Sequence, residues 1–368
     1  MNKSKKKLIY IHPKNLRYYE DHEIFSILKG FESYIITDDI RTSESFSHFC
    51  NHIIGNYKEI LSPKIYYVKN FKEILRNIRP SIVVTKEIFS LQSLLVHKMA
   101  KQLKFKHLII SYENTDFNNS LWGLFLLTRF ISYVNRKSIF IAVSSAVREN
   151  LLKIGVKKEN IIQTATGLFP SPYCFHQLSS KRFKMLYVGN ITYNKGIITL
   201  ISAFKAIINE GYGNMYLTIA GKGPLAEYVK SQSKKFENLT YLGYVSDDKK
   251  RLLMNDSDLF IYPSEDMYIL GIITRWSEQT ATSVMESMRL GLPIIASNSG
   301  SLPEILGRTD VIFEQGNAEQ LKNKILMVYK DEELRKGLRL YFRDRFLSEF
   351  DIFKNAEKIS KYLRDLKS

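Results

Sequence analysis

Short apolar runs alternate with amphipathic stretches along most of this chain. In the first half, residues 7–11, 33–37, 64–68, 81–84, 107–111 and 140–143 form runs of four or five residues and read as buried strands. Residues 89–102 and 146–154 carry apolar positions at helical spacing. The second half repeats the pattern, with strands predicted at 184–188, 215–220, 239–242, 259–262, 293–296 and 311–313 and helices at 198–208 and 283–290. Strands separated by helical segments need crossover connections, which build parallel sheets. From Ala318 onward the pattern is helical and charged to the end.

Thr164-Ala-Thr-Gly-Leu-Phe-Pro-Ser-Pro-Tyr173 interrupts this alternation with a glycine and two prolines, and predicts a domain boundary near residue 178. A length of 368 residues agrees with two domains. The expected architecture is α/β, with two Rossmann-like, doubly wound parallel-sheet domains in tandem and ligands at the C-terminal ends of the strands.

Composition narrows the class. Hydrophobic residues make up 45% and charged residues 25%, which excludes a disordered or low-complexity chain. Cys50 and Cys174 cannot form a disulfide framework or a metal site by spacing. After Lys5-Lys6-Lys7 the apolar run is too short for a signal peptide, and no run reaches a membrane span, so a cytoplasmic protein is expected. The net charge is +17, with 26 basic and 14 acidic residues before residue 181. That excess attracts an anionic partner, or simply reflects a lysine-rich surface. Residues 121–134 are strongly apolar and precede Arg136 and Lys137; they read either as a buried helix or as a segment that dips into an anionic bilayer surface.

Three segments of the second half carry candidate chemistry. Tyr187-Val-Gly-Asn-Ile-Thr-Tyr-Asn-Lys-Gly196 joins a strand to a helix, with Gly189 permitting a tight turn and Lys195 offering charge to a phosphate. Leu217-Thr-Ile-Ala-Gly-Lys-Gly-Pro-Leu225 ends another strand but lacks a dinucleotide fingerprint. In Glu278-Gln-Thr-Ala-Thr-Ser-Val-Met-Glu286, two carboxylates flank a helix start; carboxylates accept paired hydroxyls, and a helix N-terminus favours a diphosphate. Asp256-Ser-Asp258 precedes its strand, the wrong end for a ligand, and reads as a turn rather than a metal site. No metal site is expected.

Taken together, these segments resemble the retaining glycosyltransferases of glycosyltransferase family 4, which have the GT-B fold. The resemblance rests on Val188-Gly189, Lys195-Gly196, Ala220–Pro224, Leu242–Val245, Glu278 with Glu286, Gly291–Ser297, Gly300–Glu304 and Ile141–Leu151. It covers about residues 80–360 and implies two domains facing across a cleft: 1–178 on the acceptor side and 179–345 on the nucleotide-sugar side. A last helix in 346–368 is expected to cross back to the first domain.

The same resemblance implies roles. Glu286 would bind the nucleotide ribose, Glu278 the transferred sugar, and Lys195 the diphosphate, so that Glu278 and Lys195 carry the catalysis. Gly189, Asn190, Gln279, Thr280, Ala281 and Thr282 would line the diphosphate, and Gly221, Gly243, Tyr244 and Val245 would border the base. Four features depart from the family pattern: Asn190 stands where many members have Arg, Gln279-Thr280-Ala281 where many have Gly-Phe-Gly, His12-Pro-Lys-Asn where a Gly-Gly loop is usual, and Ser111-Tyr112-Glu113-Asn114 where a His is common. His12, Glu113 and Asn114 are therefore acceptor-side candidates, with solvated or turn-forming roles as the alternative.

The expected activity is transfer of a hexosyl group from a UDP- or GDP-sugar, with retention and without an obligatory metal or further cofactor, to a hydroxyl of a glycan, lipid-linked or protein-linked acceptor. Peripheral contact with the inner face of an anionic membrane is an additional expectation, and nucleic acid is not an expected partner. The alternative is a basic GT-B-fold protein that binds an anionic partner, membrane or DNA, with transferase activity degenerate or lost.

Overall fold

The computed structural model describes residues 5–11, 22–37, 50–60, 62–116, 126–171 and 182–365. The chain divides into two compact units, Met1–Gly167 with Asp351–Ser368, and Leu168–Phe350.

Among the described residues, the first unit contains β1 (Lys6–Ile11), α1 (His22–Ser26), β2 (Phe31–Thr37), β3 (Asn51–Ile54), β4 (Tyr57–Ile60), β5 (Ser62–Val68), α2 (Phe71–Ile78), β6 (Ile82–Lys86), α3 (Leu91–Leu103), β7 (Lys106–Ser111), α4 (Leu126–Asn135), β8 (Ile139–Ala142), α5 (Ser145–Lys153) and β9 (Ile161–Gln163). Seven strands form a parallel sheet in the order β3-β2-β1-β6-β7-β8-β9. Leu8, Ile9, Tyr10 and Ile11 are all buried, as expected of a central strand covered on both faces. The predicted strand at 64–68 belongs instead to an antiparallel β4–β5 hairpin.

The second unit contains β10 (Phe183–Val188), α6 (Ile197–Asn209), β11 (Met215–Ala220), α7 (Ala226–Ser233), β12 (Leu239–Gly243), α8 (Asp247–Asn255), β13 (Leu259–Tyr262), β14 (Met267–Ile269), β15 (Ile273–Trp276), α9 (Thr282–Leu290), β16 (Ile294–Ser297), α10 (Leu302–Leu306), β17 (Ile312–Phe313), α11 (Ala318–Lys330) and α12 (Glu332–Arg345). Its parallel sheet runs β12-β11-β10-β13-β16-β17, so the order reverses between β10 and β13, the switch point at which open α/β sheets bind ligands. β14 and β15 form a separate antiparallel hairpin between β13 and α9.

A π-helical turn at Phe346–Phe350 follows α12, and α13 (Ile352–Asp365) then packs in the first unit. There Ser360 Oγ accepts from Lys29 N at 3.0 Å, Tyr362 Oη donates to Glu159 O at 2.8 Å and Lys358 Nζ to Gln163 O at 2.7 Å.

Candidate functional site

The site lies at the β10–β13 switch point. β10 ends at Val188, and the chain passes through Gly189–Thr192 and a single 3-10 turn, Tyr193–Lys195, before α6. On the neighbouring side, α9 begins at Thr282 with Ala281 as its N-cap, in the left-handed region at φ 40° and with no side-chain cap. The first amides of a helix have no partner within the helix, and α9 leaves its start without a side-chain acceptor. Asn190, Thr192, Asn194, Lys195, Trp276, Glu278, Gln279 and Thr280 line one cavity of about 260 Å³ beside it.

Two buried ion pairs organise this region. Lys195 Nζ lies 2.5 Å from Glu278 Oε2, over the Trp276 ring at 4.4 Å, and 3.4 Å from Tyr262 Oη. Ser264 Oγ donates to the same carboxylate oxygen at 2.8 Å. The backbone of Glu278 is held by Ser301 N, which donates to Glu278 O at 2.9 Å. Gly300, at φ +49°, makes this close approach feasible, because a Cβ there would stand 2.1 Å from Glu278 O. Burial, reinforced by the Glu278 charge, pushes the Tyr187 and Tyr262 phenols well up, so both remain protonated.

In the second pair, Lys250 Nζ of α8 lies 2.7 Å from Glu286 Oε1 of α9 and 3.1 Å from Asp247 Oδ1. Glu286 Oε2 is buried and has no hydrogen-bond partner among the described residues. Burial raises the Glu286 carboxyl and Lys250 opposes that rise.

Several sequence-predicted residues come together here. Asn190, Lys195, Glu278, Gln279 and Thr280 share the cavity, with Ala281 and Thr282 at the adjoining helix start. Gly189 N donates to Ala220 O at 3.1 Å and Gly221 N to Gly243 O at 2.7 Å, so the three sheet-end turns are stitched edge to edge. Tyr244 is exposed with Lys222 over its ring at 4.8 Å, and Val245 is half-buried beside it.

In the first unit, Glu113 turns back on Thr115, accepting from its backbone N at 3.1 Å and from its hydroxyl, and Asn114 follows in the same turn. His12 lies outside the described residues. Residues 117–125 of the apolar segment also lie outside them. In α4, Ile131 is buried while Phe130 and Tyr133 are exposed. No helix among the described residues is long and apolar enough to cross a membrane.

Sequence reasoning missed Lys250, Tyr262, Ser264 and Asp266. Asp266 Oδ1 accepts from Ser277 Oγ at 2.8 Å and Ser299 Oγ at 2.6 Å, which steadies the strand leading into Glu278. It also missed Glu87, a half-buried residue at φ 63° after β6; Oε2 accepts from Ser111 Oγ and Oε1 from Tyr112 N, each at 3.0 Å. A signal for Lys250 existed in Asp247-Asp-Lys-Lys-Arg251, four to eight residues beyond Gly243. A charge run of that kind does not say which member points inward.

Parts of this sequence and its fold are shared with known proteins. Residues 175–345, less than half of the chain, match the family model described as Glycosyl transferases group 1. The chain is 26% identical over 231 residues to the capsular polysaccharide biosynthesis glycosyltransferase CapM of Staphylococcus aureus, covering 57% of each chain. It is 24% identical over 187 residues to a 2-deoxystreptamine N-acetyl-D-glucosaminyltransferase of Niallia circulans, covering 49% of this chain and 45% of that one. The chain thus spans about half the length of these curated relatives. Anabaena HepE in complex with UDP superposes with a TM-score of 0.73 at 13% identity, over 98% of this chain and 100% of that one, and HepE is also solved with UDP-glucose. That likeness shows the fold, which is GT-B.

Proposed function

We propose that the protein is a retaining, metal-independent hexosyltransferase that uses a nucleoside-diphosphate sugar, with UDP- or GDP-sugars as donors. The observation that carries the reading is the pairing of Lys195 and Glu278 in one cavity beside the uncapped start of α9. The leaving group of such a reaction is a nucleoside diphosphate, so catalysis consists largely of stabilising charge that develops on its phosphate. Lys195 and the first amides of α9 supply positive ends for that charge. When the diphosphate arrives, Lys195 exchanges part of its bond to Glu278 for the phosphate, and the freed carboxylate accepts hydroxyls of the sugar. The ribose goes to Glu286, whose Oε2 awaits a donor. Tyr244, exposed beside Gly243, offers the base a face to stack on.

The acceptor is a hydroxyl of a glycan, or of a lipid-linked or protein-linked saccharide, engaged through the first unit, where Glu113 and Asn114 remain candidates. The protein is further proposed to work in the cytoplasm, in peripheral contact with anionic membrane.

Calorimetric titration with UDP, GDP and their glucose and mannose derivatives tests the reading. One nucleotide is expected to bind wild type and to lose at least about 10-fold in affinity with Glu286→Ala. Binding unchanged by that substitution would remove Glu286 from the site. Retention is read from the anomeric proton of the glycosyl product by NMR, and metal independence from turnover in excess EDTA.

A further inference from the structure

Glu286 is 2% exposed, and its two carboxylate oxygens live in different surroundings. Oε1 receives Lys250 Nζ at 2.7 Å, while Oε2 is buried without a partner among the described residues. A buried acceptor left unsatisfied is costly, so a donor from outside the chain, solvent or ligand, is favoured there. Lys250 is itself fixed. It sits one turn into α8, which Ser246 caps through Lys249 N at 3.3 Å, and Asp247 takes a second bond from its ammonium at 3.1 Å.

We propose that Lys250 is a positioning residue for the nucleotide: it pins Oε1 of Glu286, so that Oε2 is presented to the vicinal diol of a nucleoside-diphosphate ribose. The inference rests on the reading of Glu286 as the ribose ligand and adds the residue that makes it selective for ribose. An ionised carboxylate only accepts, and with one oxygen tethered it still offers sites for two hydroxyl donors. A protonated carboxyl must place its own hydrogen somewhere and loses part of that capacity.

The charged groups around Glu286 set the balance. Lys250 and Arg289 favour the ionised form, whereas burial and Asp247 oppose it. From α12, Arg343 reaches this neighbourhood but spends its guanidinium on the carbonyls of Arg289 and Ser171. Removing the Lys250 ammonium therefore raises the carboxyl, and ribose recognition should then need a higher pH to recover.

The test compares UDP with 2′,3′-dideoxy-UDP, and GDP with its dideoxy analogue, by calorimetry from pH 6 to 9. Wild type is expected to prefer the ribonucleotide by about 10-fold or more across the range. Lys250→Met should lose that preference near pH 6 and regain it toward pH 9, and Lys250→Arg should keep it throughout. Thermal melts and Lys250→Gln, which should behave as Lys250→Met, separate this effect from misfolding. A ribose preference in Lys250→Met and Lys250→Gln with the wild-type pH profile overturns the proposal. A preference that survives Glu286→Ala, or a wild type that binds neither nucleotide, defeats instead the reading on which it rests.

Discussion

Lys195 Nζ and Glu278 Oε2 stand 2.5 Å apart, with side chains only 13% and 7% exposed. Breaking such a pair from one side strands a buried charge, whereas removing both charges costs far less. Lys195→Met is therefore expected to lower stability by about 3–5 kcal/mol. Combining it with Glu278→Gln should restore a good part of that loss. Urea denaturation of the two single variants and the double variant checks this: strictly additive losses would mean that the pair is not coupled.

Ala281 occupies a left-handed position, at φ 40°, where a side chain is strained by roughly 1–2 kcal/mol. Ala281→Gly removes that strain but gives up a buried methyl worth about 0.8 kcal/mol, so a small net stabilisation is expected. Ala281→Val adds a branched side chain at the same backbone and should cost at least about 2 kcal/mol. Denaturation midpoints of the two variants should fall on opposite sides of wild type.

Gly221 and Gly243 both have positive φ, 149° and 65°, yet only one is crowded. A Cβ at Gly221 would lie 1.8 Å from Gly189 O, and at Gly243 nothing comes within 4 Å. Gly221→Ala must displace the turn that carries Asn190 and should lose about 3 kcal/mol or more together with nucleotide binding. Gly243→Ala should lose only about 1 kcal/mol and retain binding. Equal effects in melting and titration would show that the β10 and β11 turns do not constrain each other.

In the first unit, burial and the Glu113 charge push the Glu87 carboxyl up to about 7. The folded state therefore holds a proton that the unfolded state releases between its ordinary value and about pH 7. The stability associated with Glu87 is present at low pH and declines as pH rises through that window, by up to about 3 kcal/mol. Glu87→Gln abolishes this dependence, so its stability relative to wild type should rise from pH 5 to pH 8. Chemical denaturation at the two pH values gives the difference directly, and a constant difference would contradict the assignment.

Most of the architecture was legible because buried parallel strands are continuous apolar runs. The predicted 215–220 and 259–262 coincide with β11 and β13, and 184–188 falls one residue short of β10. The grouping of Lys195 with Glu278, Gln279 and Thr280 in one cavity was legible as well, because strand-end turns and helix starts are local features.

The rest depends on distant parts of the chain. The β14–β15 hairpin was hidden because its turn, Leu270-Gly271-Ile272, puts Leu270 at φ 52° without the Asn-Gly or Asp-Gly signal of such turns. Lys250 was hidden because its inward orientation depends on Glu286, 36 residues away. Glu87 was hidden because its left-handed backbone is fixed from outside the segment: Ser93 Oγ donates to Glu87 O at 2.8 Å, Thr85 Oγ1 bonds Ser93 Oγ at 2.7 Å, and His107 Nε2 bonds Thr85 Oγ1 at 2.8 Å.

On the proposed reading, the cavity of Lys195 and Glu278 activates a nucleotide sugar. The most direct test is the release of UDP or GDP from UDP-glucose, UDP-galactose, GDP-glucose and GDP-mannose, by wild type and by Lys195→Ala and Glu278→Ala variants confirmed to be folded. Wild type should release nucleoside diphosphate from one donor class, and each variant should fall by about 100-fold or more. Release that persists unchanged in both variants, or a folded wild type inert toward every donor, would contradict it.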